Sequence, residues 1–295
     1  MTVFLLSIAS ACCLGLGFVL QQQAAQRAPK SDILHWRLLL DLVRMPEWLL
    51  GTAFTTSGLI LSAFALNSGD VSLVEPLLAT NLLFAMALSR VISKQSLGRS
   101  GWGGVVLLGL GVTAFIVAGR PHGGGPEAGP LRYWLVFGIV TGLALLMVSA
   151  AKRLPLFEEA TLLALAAGLL YGLQDALTRV TTQRVDKGGI GLALVSWQLY
   201  VVVAIGVVGL LLVQSAFEAA PLRMSLPGLT AAQPLAGIVC AVGFLGDRLQ
   251  VTPGALAWEA AGLLAIVAGV LVIGRHPTMP GGTGTGTAPA GRRAG

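Results

Sequence analysis

Residues 72–90 read SLVEPLLATNLLFAMALSR. The run is almost wholly apolar, yet Glu75 and Pro76 stand side by side near its start. In a bilayer such a stretch is long enough to span, because a crossing helix needs roughly 20 apolar residues. A carboxylate is costly in hydrocarbon, and a proline removes a hydrogen bond from the helix ladder. What the pair means depends on the solvent around the run.

The remaining sequence settles that solvent. The chain has 295 residues, is 55% hydrophobic and 11% charged, and has a mean hydropathy of +0.81. A soluble domain carries about a quarter charged residues. Too little polar side chain is available to cover a surface in water, so most of the surface must face lipid. The net charge of +6 comes from Lys and Arg scattered between apolar runs, not from a basic stripe, and no nucleic-acid partner is expected. Cys12, Cys13 and Cys240 lie inside apolar runs without metal-site spacing.

Hydrophobic runs predict nine spans, at about 3–22, 48–66, 71–90, 101–119, 132–150, 160–181, 191–213, 228–246 and 254–274. Only helices or closed barrels cross a bilayer, and runs of this length without period-2 alternation are helices. The expected fold is an all-α, polytopic integral membrane protein. The first run lacks a positively charged n-region and is read as a retained span. The amphipathic stretch ILHWRLLLDLV, at 33–43, is expected at the interface. Residues 1–274 form one transmembrane domain, with a Gly/Pro hinge at 120–131 and a disordered tail at 275–295. With the N-terminus outside, the inner loops hold thirteen of the nineteen Lys and Arg and the outer side six. That asymmetry predicts a cell-membrane protein with its C-terminus in the cytoplasm.

The sequence also echoes itself. Glu75-Pro76-Leu77 returns as Gln233-Pro234-Leu235. Arg90 and Arg248 follow the two prolines at equal distance, as do the pairs Gly111-Val112 and Gly269-Val270. With the N-terminus outside, the two proline-bearing spans run in opposite directions. That is the pattern of an inverted repeat, here 1–119 and 132–274, four spans plus five. Pro76 and Pro234 are candidate gating positions because each frees a carbonyl one turn earlier.

A first span ending GFVLQQ, W-x2-G opening the second span, SLVEPL, GLLYGLQDALTR and SLPGLTAAQPL together resemble the drug/metabolite transporter superfamily. The likeness is to its nine-span branch, similar to NIPA-type magnesium transporters and to actinobacterial members. It covers roughly residues 1 to 275. The resemblance implies the transporter fold and transport of a small solute or ion, with Mg2+ as one cargo.

Ionisable groups inside spans are functional candidates by default. Glu75, Asp175 and Glu259 fall at nearly one level in the outer leaflet if the N-terminus is outside. Tyr171, Asp175, Thr178 and Thr182 share one helix face, and Arg179 can pair with Asp175 one turn away. Gln233, Trp197, Asn81, Gln198 and Tyr200 are further polar or aromatic candidates. Gly138-x3-Gly142 and Gly168-x3-Gly172 read as close-packing pairs.

The sequence thus predicts a secondary transporter working by alternating access. Glu75, Asp175, Gln233, Glu259, Tyr171 and Trp197 would bind solute or couple a proton, and Arg179 would help set the gate. No resident cofactor is expected; H+ or Mg2+ would be carried. Glu75 and Asp175 are the candidate oxygen ligands for Mg2+, a hard ion. No P-loop, H-E-x-x-H or G-x-S-x-G motif is present, so no enzyme is expected. Partners are the bilayer, a solute and a second copy in a homodimer. A divalent-cation transporter and a non-transporting assembly protein are the rival readings.

Overall fold

The computed structural model describes residues 2–28, 34–68, 77–78, 80–92, 98–119, 129–245 and 252–274. The elements in chain order are α1 (Thr2–Ala25), α2 (Trp36–Val43), α3 (Pro46–Ser68), α4 (Asn81–Ile92) and α5 (Arg99–Gly119). They continue with α6 (Pro130–Ala151), α7 (Leu156–Leu194), α8 (Trp197–Ala219), α9 (Leu222–Cys240), a π turn (Ala241–Leu245) and α10 (Pro253–Gly274). No strand occurs among the described residues.

Among the described residues eight helices are long and apolar enough to cross a membrane, and α4 is a shorter apolar helix. In hydrocarbon every backbone polar group must be satisfied within the protein, which a helix does by itself. Large side chains such as Leu145, Leu146, Val203, Val207 and Leu264 are exposed, as befits a surface that meets lipid. This is the architecture of a polytopic membrane protein. The third expected span lies partly outside the described residues, because only 77–78 and 80–92 of that region are described.

Several boundaries differ from the hydropathy reading. α7 does not stop at 181 but runs through the KGGIG stretch to Leu194, so α8 begins at Trp197 instead of 191. Gly189, with φ of +74°, sits inside that extension. α9 begins at Leu222, six residues before the expected 228, and carries both Pro227 and Pro234. The expected interfacial stretch is α2, which turns Leu38 and Leu42 inward and packs on α8, α3 and α1.

Small residues set the main contacts. α5 packs lengthwise on α10, α1 on α3, and α7 on α9 and α8. In the α5–α10 crossing, a Cβ on Gly111 would lie 2.8 Å from the Gly262 carbonyl oxygen, and one on Gly262 would lie 2.8 Å from that of Gly111. Gly104 and Gly269 face each other in the same way. Since 104 meets 269 and 111 meets 262, the two helices run antiparallel. Without a hydrophobic drive between helices in lipid, backbone approach of this kind supplies much of the association. Gly168 and Gly172 pack on α9 as expected of a close-packing pair. Gly138 and Gly142 do not: no neighbouring atom lies within 4 Å of where a Cβ would sit. A GxxxG spacing permits close packing but does not supply the partner.

Candidate functional site

Asp175 on α7 and Gln233 on α9 meet across the interface of the two helices. Gln233 Nε2 donates to Asp175 Oδ2 at 3.0 Å. The helices come this close because Gly168 and Gly172 leave room for the α9 backbone. Asp175 keeps an accessible surface while Leu173, Ala176 and Leu177 beside it are buried. Pro234 adjoins Gln233 inside α9, where it leaves the Thr230 carbonyl without its ladder donor.

The expected face Tyr171–Asp175–Thr178–Thr182 divides in two. Tyr171 packs on Gly209 of α8. Thr178 and Thr182 are exposed and donate to carbonyls of their own helix, those of Gln174 and Thr178. Asp175 is held across the helix interface by Gln233, not along its own helix by Arg179.

Tyr133, Trp134, Phe137, Trp197 and Phe244 form an aromatic cluster that hydropathy alone does not group. Tyr133 stacks on Phe244 with centroids 4.4 Å apart. Trp134 stacks on Trp197 at 5.1 Å, and Tyr133 and Phe137 meet Trp197 edge-on. With its amide oxygen turned to the donors, Gln198 accepts from Trp197 Nε1 at 3.2 Å and from Arg184 at 3.0 Å. Phe244 belongs to the π turn, a feature frequent at functional positions. Tyr200 stands apart, exposed, with its hydroxyl donating to the Leu194 carbonyl.

A second polar group lies near the C-terminal ends of α1 and α8. Gln214 Nε2 donates to Gln21 Oε1 at 2.9 Å, and Gln21 Nε2 donates to Thr55 Oγ1 at 2.7 Å. Gln22, Gln214, Ser215 and Glu218 are buried there as well. The Leu34 amide donates to Ser215 Oγ, and Arg27 pairs with Glu47 nearby. The sequence signal was the QQQ run. It reads as the end of a span, but it lies within α1 and two of its glutamines are buried.

Glu75 and Pro76 lie outside the described residues. Glu259 is on α10, with one carboxylate oxygen buried and without a hydrogen-bond partner among the described residues. No bond brings it to Asp175 among the described residues. A groove of about 770 Å³ is lined by Leu110, Thr113, Ala114, Trp258 and Ala261, among others, and runs between α5 and α10. It is apolar and open, and it does not include Asp175, so we place the chemistry at the polar pair and not in this groove. Among the described residues no three His, Cys, Asp or Glu side chains gather as a metal site.

Comparison with known proteins adds one full-length likeness. The chain is 29% identical over 286 residues to an uncharacterized protein of Corynebacterium glutamicum, covering 95% of this chain and 96% of the relative. No family model matches, and no solved structure matches.

Proposed function

We propose that this protein is a secondary transporter that carries a small solute across the cell membrane by alternating access, with its N-terminus outside and its C-terminus in the cytoplasm. The observation that carries the reading is the Asp175–Gln233 pair. A carboxylate inside a membrane bundle, accessible on one side and hydrogen-bonded by an amide on the other, is an expensive arrangement that a purely structural helix pair does not need. It can take up a proton or a cationic group and release it.

Two inverted halves around such a site are supported by the α5–α10 crossing. The sequence echo places the two prolines 158 residues apart, since 234 − 76 = 158. The same offset relates Gly104 to Gly262 and Gly111 to Gly269. The contacts are Gly104 with Gly269 and Gly111 with Gly262. Each contact therefore maps onto the other, which is what a two-fold axis between antiparallel partners requires.

The divalent-cation reading draws less support. The partner of Asp175 is an amide donor, whereas a hard cation needs several oxygen ligands. Flux measured in liposomes tests the proposal: solute uptake that needs Asp175 supports it, and sealed behaviour toward every solute sinks it.

A further inference from the structure

Asn81 opens α4, and its Oδ1 is buried with no hydrogen-bond partner among the described residues. An unsatisfied buried amide costs about 1–3 kcal/mol. Native interiors rarely keep one without a use.

The surroundings of Asn81 match those of Gln233 residue by residue. On α1, Leu14 packs on Gly58 of α3. The next residue, Gly15, faces α4, where a Cβ would meet the Asn81 carbonyl and the Ala85 amide. On α7, Tyr171 packs on Gly209 of α8. The next residue, Gly172, faces α9, where a Cβ would meet the Gln233 carbonyl and the Gly237 amide. One turn on, Gly17 meets Thr55 just as Gln174 meets Gly206. In both halves a large side chain goes to the second helix and a glycine to the third. This register aligns Asn81 with Gln233, the amide that holds Asp175. The sequence echo aligns Glu75 with Gln233 instead; the contacts give an offset of 233 − 81 = 152, six less than 158. α4 and α9, the helices that carry the two amides, also pack against each other.

We propose that Asn81 contacts the transported solute, lining from the first half the site that Asp175 and Gln233 line from the second, and that the solute is a primary amine. The inference rests on the transporter reading. Its chemistry follows from the groups present. Asn81 Oδ1 and the Asp175 carboxylate are both acceptors, so the ligand must donate. A carboxylate with one open face inside a membrane bundle is best met by a positive charge that also satisfies its lone pairs. An ammonium supplies that charge and three donors. A quaternary ammonium supplies the charge without the donors.

The test uses the purified full chain and its melting temperature in ethanolamine or putrescine, with tetramethylammonium at equal ionic strength as control. Wild type should be stabilised by at least one primary amine and not by the control. Asn81→Leu should weaken that amine's Kd roughly tenfold or more, the value of a lost hydrogen bond to a charged group. Asn81→Asp keeps an acceptor and adds charge, and should bind at least as tightly as wild type. Equal affinity in wild type, Asn81→Leu and Asn81→Asp overturns the role of Asn81. No stabilisation of wild type by either amine overturns the inference as a whole. Amine uptake into liposomes separates this from the underlying reading. Binding that depends on Asn81 without any flux leaves the site standing and removes the transporter. Flux of another solute without amine binding does the reverse.

Discussion

Gln233 Nε2 lies 3.0 Å from Asp175 Oδ2, and this bond is a polar link between side chains of α9 and α7. Interhelical hydrogen bonds in membranes contribute about 0.6 kcal/mol on average. Its worth in stability is therefore small, and under the proposed function its value lies in orienting Asp175 for a ligand.

Gln233→Leu removes the donor but keeps a similar volume. The expected outcome is a folded protein whose stability changes by about 1 kcal/mol or less. Transport should fall because the carboxylate loses its orientation. Melting temperature and liposome flux measured together check this. A loss of folding with no separate effect on flux would make the pair structural.

Gln21 and Gln214 form a buried amide pair that joins α1 to α8. Gln214→Leu leaves the Gln21 oxygen without its donor, which should cost about 1–3 kcal/mol. The double variant Gln21→Leu/Gln214→Leu should cost less than the sum of the single variants. A double-mutant cycle on unfolding free energy reads the coupling, and strict additivity would show that the pair is not formed.

Gly111 and Gly262 allow the α5 and α10 backbones to touch. Gly111→Val has no space, since its Cβ would lie 2.8 Å from the Gly262 carbonyl oxygen. The expected cost is about 1–3 kcal/mol from overpacking. Gly138→Val on α6 should be near neutral, because nothing lies within 4 Å of its added Cβ. Thermal unfolding in detergent compares the two, and equal effects would contradict the packing described.

Trp197 sits among Trp134, Tyr133 and Phe137. Trp197→Ala removes the central ring and should destabilise by about 3–5 kcal/mol if the cluster is as well packed as a core. Trp197→Phe should retain most of that stability. Similar losses in both variants would mean that the indole bond to Gln198, and not the ring packing, carries the effect.

Much of this architecture was legible in the sequence. Long apolar runs and sparse charge called for membrane-spanning helices, and the described residues hold eight helices long and apolar enough to cross. Hydropathy lost precision where glycine suggested a loop: KGGIG reads as a break, yet α7 continues through it because neighbouring turns carry the ladder. Asp175 and Gln233 could each be singled out as polar residues in apolar runs. Their meeting could not, because it depends on how Gly168 and Gly172 set α9 against α7. Arg179 looked like the natural partner because spacing along one helix is visible in sequence, while contacts between helices are not. The same limit hid Tyr133, Phe244 and Gln214, whose partners lie on other elements. Glu75, which made the third run conspicuous, falls outside the described residues.

The most direct measurement is the transport current of protein-loaded liposomes on a solid-supported membrane. Wild type and Asp175→Asn would be challenged in turn with primary amines, amino acids and Mg2+. The account expects at least one solute to evoke a current in wild type that Asp175→Asn abolishes while the variant remains folded. An undiminished current in Asp175→Asn, or no current from wild type with any of these solutes, would contradict it.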